Sequence, residues 1–254
     1  INLIYDGNNT NKGTSTGYTF DSQNGNLIKK ILYGEYQSDS GGNITANIGN
    51  DAFYINYEYA KDPNGKIKDF ISNETVSDQS NKKVKETKYF YDNLAFGNVS
   101  KGNLTKEDFW KKDNDYTSSS KFYNSYGLIT KSIDSNDNAT FYEYDSYSLY
   151  PTKIINALNQ SVSFIYDYSS GQVSQSIDSN GNKFENVYDV FDRLISRKGS
   201  DPSNPLNTVS YAEYEYGDYN FPSYTKEWNK LDASGKGPIK YNYYDGLVRI
   251  IQSH

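Results

Sequence analysis

Apolar and polar residues alternate along much of this chain in short runs separated by turn-forming clusters. Thr140, Tyr142 and Tyr144 alternate with Phe141, Glu143 and Asp145, and Val162, Phe164 and Tyr166 alternate with Ser163, Ile165 and Asp167. Phe184, Asn186 and Tyr188 fill the same column one unit later. A period of two over five to seven residues rich in Tyr, Phe, Val, Ile and Thr predicts β-strands. The intervening stretches 134–138, 156–160 and 178–182 are dominated by Asn, Asp, Ser and Gly. Such residues bond their own backbone or tolerate left-handed angles, so they predict turns. With a turn roughly every 11 residues, sequential strands must pair antiparallel.

The pattern repeats. Tyr144-Asp145, Tyr166-Asp167 and Tyr188-Asp189 recur at a spacing of 22, Phe122 continues the column backwards, and the turn clusters keep the same step. Two columns sharing one period predict an all-β fold: an extended antiparallel β-hairpin ribbon that lengthens by adding units. The whole chain, 1–254, reads as one repeat domain. Residues 1–120 hold degenerate repeats with longer loops, 121–198 the regular repeats, and 199–254 a spacer loop and a terminal repeat. The Ser/Asn/Gly/Asp-rich stretches 34–50, 72–85 and 199–209 are expected to be loops, and 105–118 is left without an assignment.

Composition then narrows the chemistry. Tyr numbers 27, Phe 12 and Trp 2, yet the mean hydropathy is -0.86. Tyr supplies the apolar area such a polar chain otherwise lacks, with a polar tip that tolerates water. Cys is 0 and His is 1, which excludes thiol chemistry, disulfides, zinc knuckles, Ser-His-Asp catalysis and multi-His metal sites. A net charge of -6 argues against nucleic acid as a partner. No apolar run reaches membrane-spanning length. Starting at Ile1 with Met 0, the chain is expected to be a piece of something longer.

The Asp after each Tyr stands just before a turn, where its carboxylate can cap the turn backbone. Three other chemistries compete with that structural role. Asp178, Asn180 and Asn182 resemble the start of an oxygen-ligand calcium loop, but Lys183 and Asp189 stand where such a loop places Gly and Glu. Glycosidase chemistry needs a paired set of carboxylates, and no spacing singles one out. A Tyr-rich sheet could stack sugar rings, making an extracellular glycan- or receptor-binding adhesin module the alternative reading.

Tyr188-Asp189-Val190-Phe191-Asp192-Arg193-Leu194 and Tyr244-Asp245-Gly246-Leu247-Val248-Arg249-Ile250 resemble the Tyr-Asp-x-x-Gly-Arg-Leu motif of Rhs/YD-repeat proteins. Tyr91-Asp92, running into Gly102-Asn103-Leu104, resembles stretches of large repeat-bearing toxins related to the B component of insecticidal toxin complexes. The resemblance implies a ribbon that curls into part of a hollow shell or trough. In that family the shell encloses a C-terminal toxin, and the repeats are not catalytic. It therefore implies no enzyme activity, no cofactor and no metal. The implied partners are the rest of a parent chain and its enclosed cargo, on a secreted or bacterial cell-surface protein. Family self-cleavage lies near an Asp-Pro-x-Gly motif; Asp62-Pro63-Asn64-Gly65 has those letters but sits between repeat strands and reads as a turn. Asp192 and Val248 replace the motif Gly, so their turns are expected to be built differently.

Overall fold

The structure, a computed structural model, describes residues 12–39, 44–47, 51–201, 204–219, 221–230 and 237–254. Among these residues every regular element is a strand, and none is a helix that could cross a membrane. The chain divides into two compact units, Ile1–Ala139 and Thr140–His254.

The first unit holds β1 (Lys12–Phe20), β2 (Leu27–Ser38), β3 (Ile44–Asn47), β4 (Phe53–Tyr59), β5 (Ile71–Asp78), β6 (Lys83–Tyr91), β7 (Leu104–Lys112), β8 (Asp115–Tyr123) and β9 (Ile129–Ile133). The long β2 pairs with β1, and it meets β3 near its end and β4 near its start. From β4 onward each strand pairs antiparallel with the next. The second unit is a plain meander: β10 (Ala139–Tyr144), β11 (Pro151–Ile155), β12 (Ser161–Asp167), β13 (Gln172–Ile177), β14 (Lys183–Tyr188), β15 (Leu194–Asp201), β16 (Asn204–Gly217), β17 (Ser223–Asn229), β18 (Ile239–Tyr244) and β19 (Ile250–Ser253). Each of these also pairs antiparallel with the next.

The expected loops at 72–85 and 199–209 are mostly strand. Their polarity misleads because polar residues here lie inside the sheet: Ser72, Asn73, Glu86 and Thr87 are buried. Glu86 accepts from Lys83 Nζ at 2.9 Å and from the Tyr116 hydroxyl at 2.5 Å. On the same face Asp108 accepts from Ser118 Oγ at 2.6 Å. Paired carboxylates and hydroxyls make polar strands stable where an unpaired one would be costly. Within 34–50, β2 extends to Ser38 and β3 occupies Ile44–Asn47, while 40–43 and 48–50 fall outside the described residues. Residues 105–118 form most of β7 and the start of β8, turning at Asp113.

Apolar burial is sparse. In the first unit Ala60, Tyr91 and Val99 form a small dry core, with Ile67, Phe70, Tyr89 and Leu104 packed against it. In the second unit Ala212 is the buried hydrophobic residue among those described. Stability therefore rests on the hydrogen-bonded ladder and on what closes the strand ends.

Candidate functional site

The recurrent site is the corner where a strand enters a turn. Tyr188, the last residue of β14, donates its hydroxyl to the carbonyl of Val173 near the start of β13, at 3.0 Å. The same bond closes four other corners: Tyr59 to Leu27 at 3.0 Å, Tyr91 to Ile71 at 2.7 Å, Tyr123 to Leu104 at 2.7 Å, and Tyr216 to Leu194 at 2.9 Å. In each case the acceptor is an aliphatic residue at the beginning of the partner strand. Its carbonyl would otherwise lose its ladder partner as the chain turns away.

The next residue closes the turn. Asp189 Oδ1 accepts from the amides of Phe191 and Arg193 at 2.9 and 3.0 Å. Asp134 and Asp178 on the opposite end, and Asp245, hold their turns by the same two-amide pattern. Asp145 accepts from the Leu149 amide and Asp167 from the Ser169 amide. Asn124 does the same work without charge, taking the amides of Tyr126 and Leu128. The turn's left-handed position is filled by Asp137, Ser148, Asn159, Gly171, Gly181, Asp192 and Val248 in hairpins along the chain. Asp192 (φ 60) and Val248 (φ 62) thus adopt the conformation that Gly181 adopts, contrary to the expectation of a different turn. The remaining hydrogen bonds of the turn hold them there, and for β-branched Val that geometry is strained.

Arg193 and Arg249 brace two of these turns from the side. Arg193 contacts Asp189 Oδ2 through Nε at 2.8 Å and Asp218 at 2.7 Å, and its guanidinium lies 4.2 Å from the Tyr216 ring centre. Arg249 repeats the contact to Asp245 Oδ2 at 2.8 Å but is largely exposed. The Arg193 side chain holds Asp189 below the usual carboxylate range. The Asn182 side chain does so for Asp178, and the Arg249 amide for Asp245. Asp178, Asn180 and Asn182 are one such turn: both carboxylate oxygens of Asp178 receive turn donors, Asn182 Nδ2 at 2.9 Å among them. Among the described residues no three His, Cys, Asp or Glu side chains converge as a metal site.

Asp92 is the most heavily used cap. Oδ2 receives the amides of Ser100, Lys101 and Gly102 at 2.8, 2.8 and 3.0 Å, and Oδ1 receives that of Asn103 at 3.0 Å. Burial opposes its charge, but these amides outweigh burial and lower its pKa. The cap folds 92–103 back over Tyr91 and places Val99 in the core. Asp62 holds its own turn in the same way, accepting from the amides of Asn64, Lys66 and Ile67, so Asp62-Pro63-Asn64-Gly65 is a capped turn.

Repeat tyrosines two strands apart stand about 10 Å from one another, beyond ring-pairing range. Tyr144, Tyr166 and Tyr188 share a sequence column, and two of them make contacts to the strand between: Tyr166 stacks on Tyr150 at 4.6 Å, and Tyr188 bonds Val173. Tyr244, at the end of β18, reaches Thr225 Oγ1 at 3.2 Å, and Gly246 occupies the following turn. Tyr123 and Tyr216 escaped the sequence reading because Asn and Gly follow them in place of Asp. Tyr59, Tyr91 and Tyr123 nevertheless stand 32 apart, a period that could have found them. One open cleft of about 500 Å³ lies in the second unit, lined by residues including Glu213, Glu215, Lys226 and Trp228.

No protein-family model matches the chain, and a search of curated proteins gives no match. Solved structures do match. A mutant Tc holotoxin pore of Photorhabdus luminescens covers 94% of the chain at 14% identity with a TM-score of 0.50. TcdB2-TccC3 covers 90% at 15% identity with a TM-score of 0.51, and TcdB2-TccC3 without its hypervariable C-terminal region covers 90% at 15% with 0.50. The chain spans only 15%, 14% and 13% of those three chains. It shares its fold with part of these Tc toxin chains.

Proposed function

We propose that this chain is a wall segment of a Rhs/YD-repeat shell, a non-catalytic part of a secreted or bacterial surface toxin-like protein that encloses or presents a cargo carried elsewhere in the parent chain. The observation that carries the reading is the corner: a Tyr hydroxyl bonds back to the paired strand at five strand ends, and Asp or Asn side chains hold the turns, so the repeat can grow without a thick core. Such a wall acts by exclusion, since a continuous ladder leaves no gap for solvent or protease. The fold shared with the Tc toxin chains supports it. No displaced carboxylate among the described residues is poised as a general acid. Among the described residues every carboxylate with a displaced pKa is displaced downward, as in Glu86, Asp92 and Glu185. A general acid needs the opposite. The test is protease protection of the native gene product containing this chain. A non-repetitive segment surviving digestion until the repeats are denatured is expected; its digestion at the rate of a free peptide would contradict the reading.

The cleft beside Trp228 favours a second reading, glycan binding. It offers an indole, two carboxylates and an ammonium, the groups that stack and hydrogen-bond a sugar. A glycan array in which binding is lost on Trp228→Ala would favour it over the wall.

A further inference from the structure

One knot of rings in the second unit stands beside a carboxylate. Tyr147 lies in the turn after β10, Tyr150 leads into β11, Tyr166 lies in β12 and Tyr168 follows that strand. Tyr166 stacks on Tyr150 at 4.6 Å, and Tyr168 meets Tyr150 at 5.7 Å and Tyr147 at 5.9 Å, both edge-on. The Tyr168 hydroxyl donates to Asp145 Oδ2 at 2.7 Å, while Asp145 Oδ1 takes the Leu149 amide at 2.8 Å. The bond to Asp145 pushes the Tyr168 hydroxyl up to about 12, so the phenol keeps its proton at neutral pH. Tyr147 and Tyr168 are 72% and 53% exposed, so a reagent in solution reaches both rings.

From this arrangement we infer that Tyr147 and Tyr168 form an oxidative modification site, at which a one-electron oxidant of the ferryl-haem class, charged by hydrogen peroxide, joins them as dityrosine. Three observations select the pair. Cys is 0 and Met is 0, so the side chains that usually absorb oxidising equivalents are missing. A phenol loses an electron readily when its proton leaves with it, and Asp145 stands within transfer distance to take that proton. A second exposed ring is already adjacent, and a side-chain rotation closes the remaining gap faster than two chains meet. Tyr224 also donates to a carboxylate, Glu215 Oε1 at 2.6 Å, but its neighbours Tyr241 and Tyr243 are half-buried and held in β18.

The oxidant takes one electron from each ring. The Tyr168 proton passes to Asp145 and the Tyr147 proton to water. The two phenoxyl radicals then join through carbons ortho to their oxygens, and the displaced ortho hydrogens move to oxygen and restore both phenols. Two electrons and two protons leave in all, and hydrogen peroxide accepts them to give two waters. The bond staples the turn after β10 to the residues after β12, in a chain with no Cys for a disulfide. This inference does not depend on the shell reading.

The test treats the full chain with a haem peroxidase and hydrogen peroxide, at a dilution where chains seldom meet, and maps joined peptides by mass spectrometry. A Tyr147–Tyr168 product lighter by two hydrogens is expected to dominate. Tyr126 and Tyr219 are more exposed, have no ring partner among the described residues, and should stay unlinked. Tyr168→Phe keeps the Asp145 cap and should reduce dityrosine fluorescence to background, although the other tyrosines remain. Asp145→Asn loses the proton acceptor and should slow the reaction about tenfold, with far-UV circular dichroism unchanged. The oxidised chain should unfold at higher urea, because the loop 147–168 is then closed in the unfolded state. Joined peptides that omit Tyr147 or Tyr168, links at Tyr126 or Tyr219 in equal yield, or an Asp145→Asn rate equal to the native one would each overturn the inference.

Discussion

The Tyr188 hydroxyl reaches back across the sheet to the Val173 carbonyl at 3.0 Å, one residue before Asp189 seizes the turn amides. The two residues of the Tyr-Asp pair therefore look in opposite directions: Tyr closes the strand behind, Asp the turn ahead. Tyr188→Phe removes only the hydroxyl and is expected to cost about 1 kcal/mol in urea unfolding, the worth of one net hydrogen bond. Tyr219→Phe, on a fully exposed ring, should change nothing.

Asp92 should matter more than any turn aspartate. Asp92→Asn keeps the shape but removes the charge and turns an amide NH₂ toward at least one of the four backbone donors that the carboxylate now takes. A loss of roughly 2–4 kcal/mol is expected, since charge-assisted bonds are strong and orphaned amides are costly. Hydrogen exchange at 99–103 should accelerate in step with the lost stability. An unaltered exchange rate would remove the cap from the account.

Val248 sits at φ 62 where a β-branched residue is strained, and Asp192 at φ 60 is better tolerated. Val248→Gly is expected to stabilise by about 1 kcal/mol, with a higher unfolding midpoint. Asp192→Gly should give clearly less.

Arg193 joins two carboxylates and lies over Tyr216, whereas Arg249 meets one carboxylate in the open. Arg193→Lys loses the forked contact and the stacking, and is expected to cost about 1–2 kcal/mol. Arg249→Lys should stay within about 0.5 kcal/mol.

Two pH limits follow. Burial pushes the Tyr91 hydroxyl up to about 12 from an ordinary 10. Above pH 10 the unfolded chain gives up this proton and the folded one keeps it, so stability falls between about pH 10 and 12. Tyr91→Phe should remove its share of that limb, the rest belonging to other tyrosines raised in the same direction, among them Tyr89 and Tyr123. The capping aspartates run the other way. Their folded pKa values are lowered, so their contribution is full above the ordinary carboxylate range and disappears as pH falls through it and below. Unfolding midpoints measured across both limbs check the two signs.

Much of the architecture was legible in the residues. The 22-residue step from Tyr144 to Tyr188 gave the meander, and Asp134 and Asp178 gave the turns, because both depend on neighbours in sequence. What escaped depended on neighbours across the sheet. Ser72 and Asn73 looked like loop residues, yet they are buried within a strand. Tyr123 and Tyr216 were passed over because Asn124 and Gly217 hide the motif while the hydroxyl bond behind them is unchanged. The 22-residue register of Tyr144, Tyr166 and Tyr188 does not bring their rings together, because two strand spacings exceed the reach of aromatic pairing.

The central claim is that these corners build a wall around something else. Electron cryo-microscopy of the intact native gene product containing this chain tests it most directly. The account predicts this segment as part of a continuous sheet bounding a lumen that holds additional density. A segment standing apart as an appended domain, with solvent on both faces of its sheet and no lumen beside it, would contradict it.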